Sequence, residues 1–231
     1  MISKNAVANN VSAENQLNVN EYVTIKKTAS GNHLKILFVG NSITKHAPSP
    51  KIGWFGNWGM AATKEENDYV HQVISHLEKK YGNVDYCICQ CSQWEKNYFE
   101  GKTVLDKYYK EAGEFCADIV VIRIGENIPR DKNEEISCKP YYDEMIKYFS
   151  ENENAKVIVT DNFWSIPALD EIFLEVIKEN NYNYVRIGDL EQDESTMAIG
   201  LFEHKGVSIH PGDYGMKCIA ERLIEAIDKL I

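Results

Sequence analysis

Short, almost unbroken apolar runs alternate along this chain with longer stretches whose apolar positions recur every three or four residues. LKILFVG (34–40), VDYCIC (84–89), DIVVIRIG (118–125), KVIVT (156–160) and YVRIG (184–188) predict five strands, most of them buried on both faces. Between the first two, residues 64–81 place Val70, Val73, Ile74, Leu77 and Tyr81 at helical spacing, and Gly82 can end that helix. Helices are also predicted over 102–116, 139–150 and 168–180. An amphipathic closing helix over 213–231 carries Met216, Ile219, Ala220, Leu223, Ile227 and Leu230. Strands and helices in alternation predict an α/β protein, a three-layer α/β/α domain around a parallel sheet in the flavodoxin-like order 2-1-3-4-5. In such a sheet chemistry gathers beyond the carboxyl ends of the strands, here just after residues 40, 89, 125 and 160 and before the last helix.

Residues 1–31 depart from this pattern. They are polar and Asn-rich and read as an N-terminal extension, with EYVTIKK a candidate short strand. Ser30-Gly31-Asn32 punctuates the boundary, and 32–231 reads as a single domain.

Composition narrows the partners. The chain has 231 residues, 44% hydrophobic and 26% charged, enough apolar material for a sizeable core. A formal net charge of -10 disfavours nucleic acid or an anionic membrane, because phosphate binding needs clustered Lys and Arg. Lys26-Lys27 and Lys79-Lys80 are isolated pairs that read as solvated faces. No run approaches the roughly 18 apolar residues of a membrane span. The N-terminus lacks the apolar core of a secretory signal, so the expectation is a cytoplasmic protein or a processed mature chain. The six cysteines form no CxxC pair, and Cys87, Cys89 and Cys91 alternate onto one strand face as buried thiols. The six histidines show no HExxH spacing, so neither a metal nor another cofactor is expected. No oligomeric state is legible.

Three short segments carry the candidate chemistry. Gly40-Asn41-Ser42-Ile43-Thr44 follows the first strand, where a turn would expose Ser42 and aim backbone N–H groups at a developing oxyanion. Gly125-Glu126-Asn127 follows the third strand, and the Asn127 carboxamide can donate toward the same point. His210-Pro211-Gly212-Asp213 precedes the last helix, and histidine is the usual base for a serine hydroxyl near neutral pH. Taken singly, each has an ordinary structural reading: a helix cap for Asn41 and Ser42, a turn asparagine for Asn127. The loop after Ser42 holds His46, Trp54 and Trp58, and Trp94 and Trp164 follow the second and fourth strands. These rings, with Asn41 and Glu126, are candidate pocket residues for a sugar; the indoles read equally as anchors of their own loops.

Taken together, FVGNSIT, IGEN and HPGDYGM resemble, in order, three blocks of the GDSL/SGNH hydrolases, with Asn41 in place of the aspartate of GDS. The resemblance covers about residues 31–231. It implies ester hydrolysis through an acyl-enzyme, with Ser42 as nucleophile, His210 as base, and the Ser42 amide and Asn127 as oxyanion-hole donors. Two departures stand out. The family's aspartate three residues before the histidine is Val207 here, so a backbone carbonyl or another acid must orient His210; Glu126 and Glu203 are the acids to examine. The family's glycine after the second strand is also missing, leaving the amides of Gln90-Cys91-Ser92-Gln93 as substitutes. The leading expectation is an esterase removing acetyl or a similar small acyl group from a carbohydrate. Val207 keeps open an idle sugar-binding protein on the same scaffold, and an O-acyltransferase would use the same serine and histidine.

Overall fold

The computed structural model describes residues 22–28, 31 and 33–231. In chain order the elements are β1 (Val23–Lys26), β2 (Leu34–Gly40), α1 (Tyr69–Tyr81), β3 (Val84–Gln90), α2 (Ser92–Asn97) and α3 (Lys102–Gly113). After these come β4 (Ile119–Arg123), α4 (Arg130–Glu135), α5 (Lys139–Phe149), β5 (Lys156–Thr160), α6 (Pro167–Asn180), β6 (Asn183–Val185), α7 (Lys205–Ser208) and α8 (Asp213–Asp228).

The sheet runs β1-β3-β2-β4-β5-β6. Five of its strands are parallel in the order expected from the alternating pattern. The sixth, β1, lies in the EYVTIKK segment and pairs antiparallel with β3, Val23 opposite Cys89. It extends the predicted sheet by one edge strand, and most of the remaining N-terminal extension lies outside the described residues.

The period of two along each strand divides the core. Leu37, Val39, Cys87, Cys89, Val120, Ile122, Val157 and Val159 face one way, against apolar residues of α3, α5 and α6. Ile36, Phe38, Ile88, Ile119, Val121 and Ile158 face the other way, against α1 and α8. Cys87, Cys89 and Cys91 all lie in the first cluster as free thiols, and burial pushes the thiols of Cys87 and Cys89 well up.

Two predicted boundaries move for identifiable reasons. The helix expected from residue 64 begins at Tyr69, because Asp68 accepts the His71 N–H and caps it. The strand expected over 184–188 stops at Val185, because the Asp161 carboxylate takes the Ile187 and Gly188 N–H groups at 2.5 and 3.0 Å. Those amides are then lost to the ladder.

Candidate active site

The sheet brings its loops together as the topology requires. Ser42 lies two residues beyond β2 and His210 just before α8, yet Ser42 Oγ and His210 Nε2 are 2.9 Å apart. Gly40 closes β2 where the chain is crowded rather than sharply turned. A Cβ at this position would overlap the Thr44 hydroxyl and lie 2.8 Å from the Arg123 carbonyl.

The other imidazole nitrogen, Nδ1, lies 2.7 Å from the carbonyl oxygen of Gly206. A carbonyl only accepts, so Nδ1 carries the proton and Nε2 presents its lone pair to the serine hydroxyl. Val207 is fully buried against Trp54, Met60, Ala61 and Ala198, and its side chain offers the imidazole no acceptor. Neither candidate acid orients the imidazole. Glu126 pairs with Arg123 at 2.6 Å, and Glu203 is exposed. Trp164 packs edge-on against the His210 ring, centroids 4.8 Å apart. Burial lowers the His210 pKa to about 4, with the Gly206 hydrogen bond opposing the shift and Arg123 adding to it. The imidazole is therefore neutral at neutral pH, as a base must be.

A cleft of about 310 Å³ opens over the pair, lined by Ser42, His46, Ile52, Met60, Gln90, Ser92, Lys96, Asn127, His204, Gly206 and His210. Eight of these eleven residues carry polar side chains, and none is a carboxylate. Asn127 Nδ2 donates one hydrogen bond to Glu95 at 2.7 Å, which leaves its second N–H for a ligand. Of the four amides of Gln90–Gln93, at the end of β3, three are committed: Gln90 to Tyr22 O at 2.6 Å, Cys91 to Gly40 O at 2.5 Å and Gln93 to the Tyr109 hydroxyl at 3.0 Å. The Ser92 N–H makes only a 3.4 Å contact with the Gln90 side chain.

Several expected pocket residues lie elsewhere. His46 lines the cleft with Ser42, Asn127 and His210, whereas Asn41 and Glu126 are buried behind its wall in an ionic network. Trp54 is buried, stacks edge-on with Trp58 and donates to the His46 carbonyl. Trp58 donates to the Ala62 carbonyl, fixing its own loop. Trp94 is fully buried beside Tyr98 and Tyr142. These three indoles support loops and core, and only Trp164 touches the Ser42–His210 pair.

No protein-family model matches the chain, and no curated protein matches it. Solved structures do. A family two carbohydrate esterase from Clostridium thermocellum, in complex with cellohexaose, superposes with a TM-score of 0.57 at 20% identity, covering 88% of this chain and 67% of that one. A two-domain esterase (CEX) active on acetylated mannans gives 0.55 at 15% identity, over 86% and 49%. The psychrotrophic esterase EstA from Pseudoalteromonas sp. gives 0.52 at 13% identity, over 84% and 97%. The chain shares its fold with these three esterases. The chain spans about half the length of the acetylated-mannan esterase.

Two buried charges outside the three sequence motifs' named candidates, Arg123 and Glu95, hold the site's loops. Arg123 ends β4 with no exposure, bonded to Glu126 and to the Asn41 carboxamide oxygen. The Arg123 guanidinium holds the Glu126 carboxyl below its ordinary range. A charged residue inside the apolar run DIVVIRIG, with Glu three positions on, was the available signal. Glu95 lies in α2, a helix of one and a half turns and too short to show a period. Gly206 acts through its carbonyl, which leaves no mark in a sequence.

Proposed function

We propose that this protein is a serine esterase that removes a small acyl group, acetyl above all, from a carbohydrate hydroxyl. The observation that carries the reading is the 2.9 Å contact between Ser42 Oγ and His210 Nε2, with the imidazole fixed by a carbonyl at its far nitrogen. Ser42 Oγ attacks the ester carbon while its proton passes to His210 Nε2. The tetrahedral oxyanion accepts from the Ser42 amide and Asn127 Nδ2, and the Ser92 amide serves as third donor once the Gln90 side chain swings aside. Collapse breaks the C–O bond to the sugar, and the proton on Nε2 leaves with its oxygen. Water then attacks the acyl-enzyme, with His210 again as base, and releases the carboxylic acid.

The carbohydrate assignment rests on the polar lining of the cleft and on two structural neighbours, one bound to cellohexaose and one active on acetylated mannans. Ile52 and Met60 provide the apolar wall for a short acyl chain. The tryptophans contribute no stacking platform to this reading. Hydrolysis of 4-nitrophenyl acetate and of acetylated oligosaccharides by wild type and Ser42→Ala tests it. Release of acetate by wild type alone is expected. Equal rates for both proteins would instead favour a binding protein, and acetyl transfer to an added sugar in preference to water would make it an acyltransferase.

A further inference from the structure

Glu95 is fully buried and plays no part in the proton transfers above. Its Oε1 accepts from Asn41 Nδ2 at 3.0 Å, the Gly125 N–H at 2.9 Å and the Asn127 N–H at 3.1 Å, and its Oε2 accepts from Asn127 Nδ2 at 2.7 Å. One side chain thus ties the Ser42 turn, through Asn41, to the turn after β4. Burying a carboxylate without a cation in direct contact is costly, and burial with Glu126 nearby raises the Glu95 pKa. Four converging N–H donors are what an ionised carboxylate can accept and a carboxamide cannot.

From this geometry we infer that Glu95 is the positioning residue of the oxyanion hole: it fixes the Asn127 carboxamide with its NH₂ side, not its oxygen, toward the cleft. A carboxamide can seat in either of two orientations related by a flip. Flipped, Asn127 would set its oxygen against Glu95 Oε2 and present an acceptor where an oxyanion develops. Glu95 forbids that state. The carboxylate that the dyad lacks beside His210 is thus found on the opposite side of the reaction centre, where it orients a donor instead of a base. The inference rests on the esterase reading for its kinetic consequence, but not for the orientation itself.

The test is a cycle of Glu95→Gln, Asn127→Ala and the double variant, in the full chain, on 4-nitrophenyl acetate. Removing one oxyanion donor lowers kcat by about 100-fold, so Asn127→Ala should lose that much. Glu95→Gln should lose at least 10-fold in kcat with KM unchanged, and the double variant should be no worse than Asn127→Ala. Losses that multiply, or full kcat in Glu95→Gln, would overturn the inference. The Asn127 side-chain NH₂ signals in a ¹H–¹⁵N spectrum, assigned by their loss in Asn127→Ala, give an independent reading. The carboxylate-bound proton should lie downfield in wild type and move upfield in Glu95→Gln; unchanged signals would overturn the inference. If Glu95→Gln fails to fold, Glu95→Asp, which withdraws the carboxylate by one methylene, should show the same kinetic and spectral losses. Should wild type and Ser42→Ala hydrolyse the ester equally, the esterase reading fails while the Asn127 signals still decide the orientation.

Discussion

Asn41 stands where the resembling family carries aspartate, and its neighbours account for the carboxamide. Its Nδ2 donates to Glu95 at 3.0 Å and to Glu126 at 2.6 Å, while its oxygen accepts from Arg123. An aspartate would set a third carboxylate against those of Glu95 and Glu126 and lose both donors. Asn41→Asp should therefore cost about 3 kcal/mol or more of stability, the scale of an uncompensated buried charge, together with most of kcat; an unchanged urea midpoint would contradict this. His210 makes a second residue-scale prediction. Its pKa lies near 4 in the folded protein, against about 6.5 for an ordinary histidine, so kcat/KM should stay level from pH 7 to about 5 and fall only near 4. The same depression means that the unfolded chain takes up a proton the native imidazole refuses. Its contribution to stability is complete above about 6.5 and is lost as the pH falls toward 4. Ser42, Asn127 and His210 were legible because each sits in a short motif beside a strand end or helix start. The orienting group was not, because a backbone carbonyl has no residue type. The tryptophans misled because an indole that fills its own loop and one that lines a mouth look alike in sequence.

Among the elements, β1 changes the picture most. Four residues of a polar segment close the β3 edge of the sheet, and Val23 is buried over the thiol-bearing face. β1 also reaches the Ser42 end of the sheet, since Lys45 in the loop after Ser42 bonds to the Thr24 hydroxyl. Val23→Asp replaces about 1.5–3 kcal/mol of apolar burial with a charge. At about 2–4 °C per kcal/mol for a domain of this size, the melting temperature should drop by several degrees; calorimetry showing none would place β1 outside the cooperative unit. The five parallel strands could be read from their apolar runs, since burial on both faces is imposed by the fold. β1 lies within the candidate strand EYVTIKK, but its antiparallel pairing with β3 and the end of β6, set by Asp161, are contacts between separate segments that no local pattern records.

For the molecule as a whole, the order of the parallel strands, β3-β2-β4-β5-β6, determines where the candidate site lies: the turns after β2, β3 and β4 and the segment before α8 meet at one edge. Its closed core also makes the thiols reporters of global unfolding. Cys116 is exposed, whereas Cys87, Cys89, Cys91 and Cys138 are buried, so a thiol reagent should modify Cys116 promptly in the native protein and those four only after denaturant. Prompt native reaction of the four would mean a looser core than the packing describes. Under the proposed function, a His210 imidazole oriented by a backbone carbonyl makes Ser42 a nucleophile. A fluorophosphonate probe, followed by intact mass and peptide mapping on wild type, Ser42→Ala and His210→Ala, measures that directly. One adduct on Ser42 is expected in wild type, none in Ser42→Ala and at least about 100-fold slower labelling in His210→Ala. An unlabelled wild type, or equal labelling rates in wild type and His210→Ala, would contradict it.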